Sequence, residues 1–157
     1  MSSVIISLVL LAAISTPQQV TRIVVTKSDH TMTFYHDQTK LQSYRVSLGS
    51  SAGPKQQAGD RKTPEGLYVI DAKNPTSRFH RAFHISYPNA QDRARAAKKG
   101  VDPGGDIEIH GQMKSIAWLG PFARYFDWTA GCIALTNDEI DAIWSIVPVG
   151  TPVEIKP

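Results

Sequence analysis

The chain has one cysteine, Cys132, in 157 residues, which excludes an internal disulfide framework and any thiolate-rich zinc or iron–sulfur site. Long hydrophobic runs are also missing. The longest, Val4 to Ile14 (VIISLVLLAAI), is broken only by Ser7 and falls short of the ~20 residues of a membrane-spanning helix. Neither sign of charge dominates: 17 Lys and Arg face 14 Asp and Glu. The resulting +3 and a pI near 9.1 are too mild to indicate nucleic acid. The chain contains no internal repeat and no low-complexity segment. What is present is ordinary: 41% apolar residues, 20% charged, 11 Gly and 10 Pro. That composition describes one globular domain with many turns and argues against disorder, collagen or coiled coil.

The apolar run suits the core of a secretory leader. Ala13-Ile14-Ser15 places small residues at −3 and −1 of a cleavage site, and polar Thr16-Pro17-Gln18-Gln19 comes next. The only positive charge ahead of the run is the α-amino group of Met1. The same residues would also serve as a buried first strand. We read residues 1–15 as a signal peptide and 20–157 as the domain, so the protein is expected outside the cytoplasm, in the periplasm or cell wall, with no membrane span after cleavage. An unpaired cysteine in an exported protein is a candidate reactive thiol.

Short strand-like runs dominate the chain from Thr21 onward. Thr21–Val25, Thr31–Tyr35 and Leu41–Leu48 read as strands, with Lys27–His30 as a turn between the first two. Gly49–Lys62, rich in Gly, Ser, Pro and Gln, reads as a surface loop. Leu67–Ile70, Phe83–Ser86, Asp106–His110 and Thr151–Ile155 read as further strands. Gln91–Lys99 reads as a helix closed by Gly100. Near the end, Thr136 and Glu139 form a capping box for a helix whose buried face is Ile140, Ile143, Trp144 and Val147. The fold class is therefore mainly β (α+β). The regular helical crossovers of a doubly wound sheet are absent.

Charge is unevenly placed. Residues 51–100 hold ten Lys or Arg against four Asp or Glu, and residues 101–157 hold three against eight. The basic stretch reads either as a solvated face or as a surface for a carboxylate-rich polymer outside the membrane. Two segments carry chemistry. In Asp106-Ile107-Glu108-Ile109-His110-Gly111 a period of two sends Ile107 and Ile109 to the core and the other side chains to the opposite face. In Trp128-Thr129-Ala130-Gly131-Cys132-Ile133 a glycine precedes the cysteine, and a short strand then leads into the capped helix. A thiol attacks as thiolate, and an imidazole is the usual means of producing it. Backbone N–H groups around a glycine turn can receive a developing oxyanion. A buried structural cysteine is the bland alternative.

From residue 20 onward these motifs resemble the YkuD-type L,D-transpeptidase catalytic domain. The matching residues are His110-Gly111, then Thr129-x-Gly131-Cys132-Ile133 and Asn137. They are joined by Thr63-Pro64-Glu65-Gly66 and by Val147-Pro148-x-Gly150-Thr151-Pro152-Val153. The family's usual nucleophile motif has a histidine where this chain has Ala130 and an arginine where it has Ala134, so roles given to those side chains do not carry over. These departures, with Asp127-Trp128-Thr129 and Phe79-x-x-x-Phe83-His84, resemble the YafK-like subgroup. The resemblance implies a β-sandwich of mixed sheets with a few short helices. It also implies a cofactor-free and metal-free acyl transfer on peptidoglycan stem peptides through a Cys132 thioester.

In that expectation Cys132 is the nucleophile and His110 its base, while the N–H groups of Gly131 and Cys132 receive the oxyanion. Activation by His110 would make the thiol react below the usual pKa of about 8.5. Thr129, Gly111, His84, Arg124 and Trp128 are candidate substrate contacts, and Arg78 is a further arginine that could meet a stem-peptide carboxylate. Trp118 and Trp128 are candidates for a lid over the site or for plain packing. Glu108 could orient His110, a task the family often gives to a backbone carbonyl. Two alternatives stay open: hydrolysis of cross-links or of proteins attached to the wall, and a non-catalytic wall-binding module. A histidine metal site is disfavoured, because His80-x-x-x-His84 would need a helix where the sequence reads as strand.

Overall fold

The computed structural model describes residues 17–157; the leader read over residues 1–15 lies outside them. Alternating apolar and polar residues build an antiparallel meander of β1 (Arg22–Thr26), β2 (Thr31–His36) and β3 (Thr39–Arg45). Met32 and Phe34 point inward with no exposed surface, while Thr31 and Thr33 stay partly solvated. The closing strand β8 (Pro152–Lys156) lies parallel to β1, and β4 (Gly66–Ser77) runs antiparallel beside it. The first residues of β4, Gly66–Val69, pair with β8. Its remainder, from Ile70, pairs with β5 (His80–Ile85). One long strand thus serves both halves of the sheet.

Beyond β5 come β6 (Glu108–His110), antiparallel to it, and β7 (Ile133–Ala134), parallel to β6. The strand order among the described residues is β3-β2-β1-β8-β4-β5-β6-β7. The chain leaving β3 then reaches the far edge, where Ser47 bridges Ala134 and Gly49 bridges Thr129. The mixed sheet therefore curls back on itself around Phe34, Ile70, Phe83, Ile109 and Ile133. Helix α1 (Ala90–Lys99) is capped by Asn89 and closed by Gly100 in the left-handed conformation. Helix α2 (Asn137–Trp144) has the expected Thr136–Glu139 capping box and buries Ile140 and Ile143. Mostly strand, with two short α-helices among the described residues, the fold agrees with the class read from sequence.

Three elements differ from expectation. β4 runs on to Ser77, through Pro75, because the register shifts between Asn74 and Ser77. A bulge tolerates a residue that cannot donate to the ladder. β6 begins only at Glu108, since Asp106 adopts φ 52°, which breaks the extended backbone. Ala117–Tyr125, between His110 and Cys132, forms 3₁₀ turns interrupted at Gly120 (φ 49°) ahead of Pro121.

Candidate active site

The parallel pairing of β6 and β7 sets Ile109 against Ile133 and His110 against Ala134. Cys132, one residue ahead of β7, consequently falls beside Glu108, whose backbone N–H donates to its Sγ at 3.4 Å. Along the preceding strand Ile107 and Ile109 are buried in the core. Asp106, Glu108 and His110 open with Cys132 onto one cleft of about 850 Å³. The period-two reading holds over Glu108–His110 but not at Asp106, where φ 52° ends the extended backbone, and Glu108, His110 and Cys132 share one cleft.

His110 is 1% exposed. Its ring stacks on Phe79 at 4.1 Å between centroids and meets the edge of Trp128 at 5.8 Å. Nδ1 lies 2.6 Å from the carbonyl oxygen of Gly111. A carbonyl only accepts, so Nδ1 carries the proton and Nε2 keeps its lone pair. A backbone carbonyl thus orients the imidazole, and Glu108 makes no hydrogen bond to it among the described residues. Burial pushes the imidazole down to about 4; the Gly111 carbonyl opposes this and the Arg78 charge adds to it. At neutral pH His110 is an uncharged imidazole.

Cys132 sits on a turn that only glycine can make. Gly131 has φ 128°, and a Cβ there would lie 2.7 Å from the Lys62 carbonyl oxygen. Thr129 clamps the turn: its hydroxyl donates to the Cys132 carbonyl at 2.7 Å and accepts the Gly131 N–H at 3.1 Å. This corrects one expectation, because the Gly131 N–H is already engaged and is not available to an oxyanion. The Cys132 N–H has no partner among the described residues.

The thiol rests 3.6 Å from the Asp106 carbonyl and makes no hydrogen bond to the imidazole among the described residues. Burial pushes its pKa up, and the Glu108 carboxylate adds to that. The Glu108 N–H, with the charges of Lys55 and Arg78, pulls the other way without prevailing. A resting thiol ionised below the usual range is therefore not what the fold provides. Thiol and imidazole are both neutral at pH 7.

The remaining candidates divide. Trp128 and Thr129 line the cleft. Trp128 serves chiefly as a wall for His110, and the Thr129 hydroxyl is spent on the turn. Gly111 does not line it; a Cβ there would lie 2.6 Å from Asn137 Oδ1, so its glycine answers a close approach and not a ligand. That same Oδ1 accepts the Gln112 N–H at 2.7 Å and fixes the chain just after His110. His84 also lies outside the cleft, with Nδ1 2.5 Å from Asp71 Oδ1. Arg124 is turned away and joins Glu139 at 2.6 Å, tying the 3₁₀ segment to α2. Trp118 is 80% exposed and does not line the cleft.

His80 and His84 stand on a strand, each with its own aspartate, His80 with Asp141 and His84 with Asp71. Among the described residues no group of three His, Cys, Asp or Glu is arranged to hold a metal.

Sequence reasoning missed Phe79 as the platform for the imidazole. It lies at the tip of the β4–β5 hairpin, where Ser77 pairs with His80 and leaves Arg78-Phe79 as a two-residue loop. The sequence reading ended that strand at Ile70, whereas it continues to Ser77, and this hid the hairpin. Lys55 and Arg61 also reach the cleft from the loop read as surface. Lys55 is 3% exposed because Asp60, itself held by three backbone N–H groups, binds its ammonium at 2.9 Å.

Comparison with known proteins agrees with this architecture. The family described as YkuD, the L,D-transpeptidase catalytic domain, matches residues 20–155. YafK of Escherichia coli strain K12, provisionally named an L,D-transpeptidase, is 37% identical over 110 residues, covering 68% of this chain and 37% of that protein. Among solved structures, the helical cell shape determining protein of Campylobacter jejuni superposes with a TM-score of 0.67. It is 27% identical and covers 89% of this chain and 49% of that one. An L,D-transpeptidase from Mycobacterium smegmatis shares the fold, with a TM-score of 0.56 at 20% identity over 86% of this chain and 58% of that one. The chain thus spans less than two thirds of each of these relatives.

Proposed function

The chain belongs to the YkuD family of L,D-transpeptidase catalytic domains, and from that premise we propose that it transfers acyl groups of peptidoglycan stem peptides through a thioester on Cys132. The observation that carries this reading is the pairing of Cys132 with an uncharged His110 on one cleft. Nε2 of His110, left basic by the Nδ1–Gly111 contact, takes the thiol proton as sulfur attacks the stem-peptide carbonyl. The free Cys132 N–H receives the oxyanion. Collapse breaks the C–N bond, and the imidazolium returns the proton to the departing amine. A second amine then attacks the thioester to make a new amide and regenerate the thiol; water in its place gives a carboxylate.

Because thiol and imidazole start neutral, the proton moves during attack and not before it. Burial that disfavours imidazolium in the resting protein also makes it a strong acid when it must protonate the leaving amine. We place the domain outside the cytoplasm, after a leader over residues 1–15. Its partners are the stem peptides themselves and, for the hydrolytic outcome, proteins attached to them.

Incubating the chain with tetrapeptide muropeptides, with and without an amine acceptor, and reading product masses tests the proposal. Exchanged or cross-linked products indicate transfer, and shortened stems indicate hydrolysis. Cys132→Ala should abolish both. Turnover retained by that variant refutes the thioester, and wall binding without any turnover by the parent protein favours a binding module.

A further inference from the structure

The β4–β5 hairpin tip places a cation on the cleft that Cys132 and His110 line. Arg78 lines the cleft with His110 and Cys132, and its guanidinium lies 4.7 Å from the centroid of the Phe79 ring. The same ring carries the His110 imidazole at 4.1 Å. Arg78 makes no ion pair and no side-chain hydrogen bond among the described residues, whereas Lys55, the buried cation of this cleft, is already taken by Asp60. Arg78 is exposed, as most arginines are, but it is held over an aromatic face, lines a cleft, and has an empty fork.

We propose that Arg78 is a specificity-determining residue that binds the free carboxylate of the residue leaving with the amine. The inference rests on the acyl-transfer reading and names what that site recognises. His110 protonates the departing nitrogen, and in a terminal amino acid the carboxylate is attached one carbon from that nitrogen. A group that reads it must therefore face the cleft that the imidazole faces, and Arg78, held on the ring that also stacks on His110, lines that cleft. The planar fork matches a carboxylate with two parallel N–H···O bonds, a geometry that an ammonium does not reproduce. Stacking on Phe79 limits the guanidinium's freedom before substrate arrives, so less entropy is lost on binding. The Arg78 charge is felt by His110, Glu108 and Cys132 alike, as expected for a cation facing the reaction centre. Glu108, desolvated on the same wall, disfavours a second anion near itself and steers the carboxylate toward Arg78.

The test uses the full chain and two tetrapeptide donors, one ending in a free carboxylate and one in a carboxamide. The parent protein should prefer the carboxylate by about 10–100-fold in kcat/KM, the range of a charge-assisted hydrogen bond. Arg78→Gln should turn over both donors at the carboxamide level, mainly through a higher KM, and Arg78→Lys should keep part of the preference. Equal losses on both donors in Arg78→Gln, or no preference in the parent, overturn the proposal and leave Arg78 a merely structural neighbour of Phe79. If the parent turns over neither donor, acyl transfer fails, and calorimetric binding to Cys132→Ala decides the subsite separately. Carboxylate-selective binding lost in the Arg78→Gln double variant upholds it, and unselective binding refutes it.

Discussion

Burial of an uncharged His110 makes the protein's stability depend on pH. Its folded value is about 4, against an ordinary 6.5. The unfolded chain therefore binds a proton on this residue as pH falls through 6.5, while the native protein does not until near 4. Above 6.5 both states are neutral and the residue contributes no pH dependence. Between 6.5 and 4 the native state loses about 1.4 kcal/mol per pH unit, about 3 kcal/mol across the window. With the ring 1% exposed, solvent screening does not discount this figure. Asp60 acts in a separate range: burial raises it, but three backbone N–H groups and Lys55 outweigh that and hold it near 2. The stability it supplies is present above its ordinary 3.8 and is lost only as pH falls toward 2.

Urea unfolding at intervals from pH 7.5 to 4.5, for the parent protein and His110→Gln, measures the effect. The glutamine amide can still donate to the Gly111 carbonyl but cannot titrate. Between pH 7 and 4.5 the parent should lose about 2.5 kcal/mol more than the variant does. Parallel curves for the two proteins refute the reasoning. A direct NMR titration of the His110 ring in the parent checks the same point even if the variant folds poorly, and a midpoint near 6.5 sinks it.

Two further outcomes concern the turn and the thiol. Gly131→Ala forces a Cβ to within 2.7 Å of the Lys62 carbonyl at a φ of 128°; it should cost about 2–4 kcal/mol in urea unfolding and lower turnover, and unchanged stability contradicts the close approach. Alkylation of Cys132 in the resting protein should remain slow at pH 7 and rise only above the ordinary thiol range of about 8.5, because burial opposes the thiolate. A rate that levels off below pH 7 means a preformed thiolate–imidazolium pair and refutes the neutral resting state.

The legibility of this site in the sequence tracks the range of the interactions that build it. Ile107 and Ile109 announced which way His110 would face, because strand alternation is local. The glycine before Cys132 announced a tight turn for the same reason, and Thr136 with Glu139 announced the start of α2. What the turn does was not legible. Gly131 read as a donor to an oxyanion, yet its N–H is consumed by Thr129 two residues earlier, and the need for glycine comes from Lys62, a neighbour only in the folded chain. Arg124 read as a candidate for substrate because its partner, Glu139, lies on α2. Phe79 remained hidden because the register shift around Pro75 disguised the hairpin that carries it.

The missed contacts also explain the electrostatics. A cysteine and a histidine in one motif set suggest an ion pair, and composition gives no reason to doubt it. The folded chain instead encloses the imidazole between Phe79 and Trp128, and it buries the thiol against the Glu108 N–H and the Asp106 carbonyl. Ionising either partner alone is then costly, and ionising both requires a proton to cross a gap that no hydrogen bond bridges in the resting protein. In the proposed reaction, substrate changes that balance by bringing a carbonyl for the sulfur and a charge for Arg78. On that proposal Cys132, buried and with its pKa pushed up, stays unreactive toward small electrophiles and gains its nucleophilicity from the peptide it attacks.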